Sequence, residues 1–178
     1  MGIQQQDPEV SARPFKEDIA DQDIKVTHTT MDSSCSASFY MFLKSSDSIA
    51  YHKHNHCSEF TVHLPKRLSL SGEWMVGLTE VHFPKPIDQT GQSGSKEDTV
   101  LILSPLCDAS IVAGTTMPVL GRLHNSELGK TVRFDRVTYM KVKVVEMGEV
   151  TIYIRDEKGE VPSFPAGQTW CTLHFVKK

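Results

Sequence analysis

Apolar residues in this chain come in short β-branched and aromatic runs, and Pro and Gly cut those runs before a helical period can establish itself. Phe60-Thr-Val-His-Leu-Pro65 is followed by Leu68-Ser-Leu-Ser-Gly72-Glu-Trp74-Met-Val-Gly77-Leu-Thr-Glu80-Val-His-Phe83. That stretch reads as a strand ending at Leu-Pro, a turn, and a second, longer strand. Further strands are expected at about 38–44, 98–104, 109–113, 131–135, 137–145, 149–155 and 169–176. Many short strands without an α-helical pattern point to a β-sandwich or barrel and away from a parallel α/β fold.

Two strands carry sharper expectations. Val150, Ile152 and Ile154 alternate with Thr151, Tyr153 and Arg155, so one face of that strand is buried and Ile152 belongs to the core. Val100-Leu-Ile-Leu103 is apolar at every position, which suits a strand covered on both sides or one that reaches an interface. Trp74, flanked by Val76 and Leu78, is also expected in the core. Asp156-Glu-Lys-Gly159 reads as a hairpin loop with Gly at a positive-φ position. Pro84 to Glu97 reads as a flexible surface loop, and Ser104 to Lys130 as a long, partly irregular connection.

At 178 residues the chain is about one domain. Its first fifth is charged differently from the rest. Up to Ser36, seven carboxylates (Asp7, Glu9, Glu17, Asp18, Asp21, Asp23, Asp32) face Arg13, Lys16 and Lys25, a net of -4; the remainder is close to +1, since the whole chain is -3. With few large apolar side chains, residues 1–37 are expected to be a flexible, disordered acidic arm. The functional alternative is an arm that orders against neighbouring subunits through Phe15, Ile19 and Ile24. A net charge of -3 argues against direct nucleic-acid binding. No apolar run is long enough to span a membrane, and the N-terminus lacks a signal-peptide core. Cys35, Cys57, Cys107 and Cys171 form no Cys-x-x-Cys pair and are expected to stay reduced.

The motif Leu68-x-Leu-x-Gly72-x-Trp74-x-Val-Gly77-Leu-x-Glu80 resembles the N-terminal half of the minor capsid (penton) proteins of Maverick/Polinton elements and their adintovirus relatives. Gly129-Lys-Thr-Val-Arg-Phe134, Val137-Thr-Tyr139, Val150 to Gly159 and Thr172-Leu-His-Phe175 resemble their closing strands in the same order. The resemblance covers roughly residues 38–178. It implies an all-β fold, a single jelly-roll β-sandwich of about eight antiparallel strands. It also implies a structural virion protein without cofactor, forming homopentamers at icosahedral vertices beside a double-jelly-roll major capsid protein. Such a chain is assembled in the host nucleus or cytoplasm; a host-encoded copy repurposed for another interaction shares the same resemblance.

The chemistry-bearing stretch is Tyr51-His52-Lys-His54-Asn-His56-Cys57. On an extended strand His52, His54 and His56 line one face, as ligands for Zn²⁺ or Cu²⁺ do. His52-x-His54 with Glu59 also resembles the first cupin motif, and Gly159-x5-Pro165-x-Gly167 the second. There the pattern stops: Trp170 stands where a ligand His is needed, His174 where Asn is usual, and Ser46 and Lys66 at glycine positions of the first motif. A polar, His-rich loop is the simpler reading. Cys57 beside His56 suggests a thiol nucleophile only if both side chains share a face, which neighbouring strand residues do not. No nucleophile elbow, phosphate-binding loop or His-Glu-x-x-His occurs. No catalytic, cofactor or metal residue is assigned, and the expected role is assembly.

Overall fold

The computed structural model describes residues 37–84, 99–162 and 167–178. They form eleven strands: β1 (Ser38–Lys44), β2 (Glu59–Ser69), β3 (Trp74–His82), β4 (Thr99–Leu103), β5 (Ser110–Val112), β6 (Thr115–Met117), β7 (Val119–His124), β8 (Thr131–Arg133), β9 (Tyr139–Lys141), β10 (Glu146–Asp156) and β11 (Trp170–Lys177). Among the described residues, helix is limited to one 3₁₀ turn at Asn125–Glu127. The arm up to Ser36 and most of the Pro84 to Glu97 loop lie outside the described residues.

One sheet has the order β1-β11-β3-β8, with β9 also on β3; the other has the order β2-β10-β4-β7. Every ladder is antiparallel, and the pairs β1–β11, β2–β10, β3–β8/β9 and β4–β7 nest from the chain ends inward. Folding such a ribbon of pairs into two facing sheets is the winding of a jelly roll. β8 and β9 act as one interrupted strand, since β8 pairs with Glu80–His82 and β9 with Met75–Gly77. The β5–β6 hairpin is an insertion before β7, closed by Ala113 and Gly114 at φ 48° and 80°. Two successive positive φ values are what a two-residue hairpin turn of matching twist requires.

The core lies between the sheets. Met41, Leu43, Val76, Leu78, Val81, Cys171, Leu173 and Phe175 come from one side, and Phe60, Val62, Ile102, Leu120, Leu123, Val150, Ile152 and Ile154 from the other. The alternation expected in β10 holds, with Thr151, Tyr153 and Arg155 half-buried on the opposite face. Gly159 has φ 84°, and Asp156 Oδ1 accepts the N–H groups of Lys158 and Glu160, as a tight hairpin end demands.

Several boundaries depart from the sequence reading. β2 does not stop at Leu64-Pro65 but runs to Ser69. It is an edge strand with a register break opposite Gly148, so the missing N–H of Pro65 interrupts no regular ladder. Within Ser104 to Lys130, expected to be partly irregular, the strand expected at 109–113 is β5, and β6 and β7 are additional, with β7 completing the second sheet. The strand expected over 137–145 is only β9, because Val142 N–H turns to the Trp74 carbonyl and Lys143 N–H to that of Leu106. Val100, Leu101, Ile102 and Leu103 are all buried within the chain, so this segment is a covered strand and not an exposed interface. Trp74 is half-buried at the core margin, its ring 5.6 Å from Phe39 and its Nε1–H donated to the Ser71 carbonyl at 3.2 Å.

Candidate assembly surface

The histidine stretch does not form the strand that a three-imidazole face requires. Residues 45–58 are a chain of turns between β1 and β2. Asn55 ties the loop down: its Oδ1 accepts Thr61 N–H at 2.9 Å while its Nδ2 donates to the carbonyls of Thr61 and Asp47. Ser48, held at φ 60°, accepts His63 N–H on its Oγ at 2.8 Å. The three imidazoles therefore part company. His52 Nε2 lies 3.3 Å from Glu149 Oε1, His56 folds back on Ser58 Oγ at 3.0 Å, and His54 is exposed. Among the described residues no group of three His, Cys, Asp or Glu side chains is placed to hold a metal ion.

The remaining cupin-like positions are used structurally. Glu59 is paired with Arg155 at 2.5 Å, and the Trp170 ring stacks on His82 at 5.6 Å. His174 stacks on Tyr40. Pro165 lies outside the described residues. Cys57, Cys107 and Cys171 are buried; burial raises all three thiols, Cys107 to about 11 and Cys171 to about 12. Neutral thiols in such surroundings are poor nucleophiles. Cys57 Sγ does approach His56 Nδ1, at 3.5 Å, because the loop is not extended there. Burial raises its pKa, which still keeps the thiolate scarce. Cys35 lies outside the described residues.

The two outer sheet faces differ in chemistry. On the β2–β10 side the outward residues satisfy one another. Thr61 and Thr151 share a hydroxyl hydrogen bond at 2.9 Å, Glu59 pairs with Arg155, His63 approaches Glu149, and the Arg155 guanidinium lies 5.3 Å from the Tyr153 ring centre. On the β1–β11–β3 side the cross-strand rows read Lys44–Trp170–His82–Thr131, Phe42–Thr172–Glu80–Arg133 and Tyr40–His174–Gly77–Tyr139. Aromatic rings stand at the β1 edge and in the two outer rows, around Thr172 and Glu80. Phe42 is 72 % and Tyr40 58 % exposed, and Glu80–Arg133 is the ion pair closing one row, at 2.6 Å.

Gly77 explains how that face is built. A Cβ there would stand 2.4 Å from Val137 Cγ1 and 3.2 Å from the Thr138 carbonyl oxygen, so only glycine lets the chain entering β9 cross β3. The crossing lays Tyr139 edge-on to His174, with Tyr139 Oη 2.7 Å from His174 Nδ1, while Tyr40 stacks on the same imidazole at 4.2 Å. Three strands are thus joined through one ring, and a rigid aromatic platform results. Sequence reasoning missed this surface. Tyr40 and Phe42 were readable as outward residues of β1, but the register that places them beside His174 and Tyr139 is a tertiary property. Exposed aromatic surface of this kind marks interaction sites.

No family model and no curated protein matches the chain. Among solved structures, the crystal structure of the mavirus penton protein is similar over 78 % of this chain and 99 % of that one, with a TM-score of 0.50 and 6 % sequence identity. The two share the jelly-roll fold. At so low an identity the likeness concerns architecture, and it agrees with the nested strand order described above. Among the described residues no helix is long and apolar enough to cross a membrane.

Proposed function

We propose that the chain is a structural virion protein, the subunit of a homopentameric penton at the vertices of an icosahedral capsid. The observation that carries this reading is the alignment of the jelly roll over 99 % of the mavirus penton chain. The independent motif resemblance to Maverick/Polinton and adintovirus penton proteins points the same way. The protein has no catalytic role in this reading; its partners are further copies of itself and a double-jelly-roll major capsid protein, and its place is the virion after assembly in the host nucleus or cytoplasm. A closed ring needs heterologous contacts related by rotation. The face on β1, β11, β3 and β9 supplies one side of such a contact, with exposed Tyr40 and Phe42 at its β1 edge and the charges of Glu80 and Arg133 already paired with each other.

Light scattering coupled to size exclusion, with negative-stain imaging, tests this. The expected result is a ring of five, concentration-dependent or promoted by the major capsid protein. Tyr40→Glu and Phe42→Glu together are expected to abolish it while leaving the thermal unfolding midpoint nearly unchanged, because both side chains are exposed. A strict monomer at high concentration that also ignores the major capsid protein leaves only a repurposed interaction domain.

The same reading expects no resident metal. Elemental analysis of untagged protein checks it. Near-stoichiometric zinc, iron or copper that disappears on changing His52 and His54 together to Ala would restore the cupin-like alternative.

A further inference from the structure

At the open edge of the sandwich, β7 ends one sheet while β8 and β9 end the other, and the two edges do not close on each other. A groove of about 360 Å³ lies there under the β5–β6 hairpin. Leu78, Leu120, Phe134 and Met140 are among its apolar walls, and Arg122 and Arg136 stand at its rim. Ile111 of the hairpin, 82 % exposed, also lines it. Among the described residues neither arginine is in an ion pair, although the chain as a whole is acidic. Elsewhere on the described surface Arg133 and Arg155 each hold a carboxylate, while Arg67, like the groove pair, is in no ion pair. An apolar trough rimmed by two uncommitted guanidinium groups fits a segment that offers large apolar side chains with carboxylates interleaved.

The N-terminal sequence contains such a segment. Phe15-Lys-Glu-Asp-Ile-Ala-Asp-Gln-Asp-Ile24 has four carboxylates against one lysine, with Phe15, Ile19 and Ile24 as its large apolar residues. In an extended conformation Phe15, Glu17, Ile19 and Asp21 project to one side, alternating apolar and acidic. The 14 residues from Ile24 to Ser38 can span at most roughly 50 Å.

We infer that the groove rimmed by Arg122 and Arg136 receives residues Phe15–Ile24 of a neighbouring copy, so that each arm clasps the next subunit of the assembly. This rests on the capsid reading, which supplies the neighbour. Arm exchange of this kind adds a second attachment to each subunit contact, and its effective concentration strengthens a weak face-to-face interface.

The test uses a fluorescent peptide of residues 15–24 and full-length chain whose own Glu17, Asp18, Asp21 and Asp23 are replaced by Lys, so that its arm does not compete. Saturable binding that weakens as salt is raised is expected. Adding Arg122→Glu and Arg136→Glu to the same chain is expected to weaken it about tenfold or more. Equal binding to both chains, or none, overturns the inference. Equal binding of a peptide carrying Phe15→Ser and Ile19→Ser also overturns it, because the groove would then be a generic anion site. Ring formation by the unaltered chain is measured in parallel. Rings without peptide binding sink the groove assignment and leave the capsid reading standing, whereas peptide binding by a chain that never forms rings supports the groove and sinks the ring.

Discussion

Ile152→Ala is expected to lower the unfolding free energy by about 2–5 kcal/mol. Ile152 is 1 % exposed, and its β10 neighbours Val150 and Ile154 are equally buried. It pairs with Phe60 on β2 and sits in the core between the two sheets. The cost therefore combines the lost transfer free energy with a cavity held open by two sheets. Trp74→Ala is expected to cost less than the roughly 3–5 kcal/mol of a fully buried aromatic, because Trp74 lies half-buried at the core margin. Urea unfolding followed by circular dichroism measures both. A wild-type midpoint for the Ile152 variant would mean that the inward face of β10 is misassigned.

Gly77→Val is the second large effect, and it acts on stability and on the assembly face together. The first added carbon alone meets Val137 Cγ1 at 2.4 Å, and the Thr138 carbonyl blocks retreat at 3.2 Å, so β9 must lift off β3. The expected loss is at or beyond the upper end of the roughly 1–3 kcal/mol typical of overpacking. Lifting β9 also separates Tyr139 Oη from His174 Nδ1, now 2.7 Å apart, and loosens the platform under Tyr40. Val137→Ala is expected to rescue Gly77→Ala in part, since it removes the nearest clashing atom. Additive losses in that double-mutant cycle would show that the cost of Gly77→Ala lies in backbone conformation rather than in the Val137 contact.

Both effects bear on why the motif Gly72-x-Trp74-x-Val76-Gly77 is informative in a chain like this. Gly72 sits at φ 91° between β2 and β3, where an L side chain is strained. Gly77 is required for a different reason, the close passage of a strand from 60 residues further along. The first requirement is local and readable. The second is visible only once β9 is in place.

The all-β class, the hairpin at Asp156–Gly159 and the inward face of β10 were legible in the residues because each rests on a local rule: strand alternation or turn chemistry. What the alternation rule hides is the bulge. Leu120 and Leu123, Leu78 and Val81, and Met147 and Val150 are all buried at a spacing of three, and a register shift lies near each pair. A strand with one extra residue turns both ends of such a pair inward, so its pattern no longer looks like a strand. β7 shows this: with Pro118 and Gly121 in or beside it and its alternation broken at Leu120, its residues carry the signature of an irregular connection. The histidine stretch failed in the opposite direction. Spacing by two implies a shared face only on an extended backbone, and hydrogen bonds from Asn55 and Ser48 curl this one into turns. The sequence alone determined that the chain would build a β-sandwich or barrel, since short alternating runs can bury their apolar faces only against one another. The aromatic platform and the arginine-rimmed groove were decided by tertiary structure, because each joins side chains from strands far apart in sequence, and no local rule specifies which edges meet.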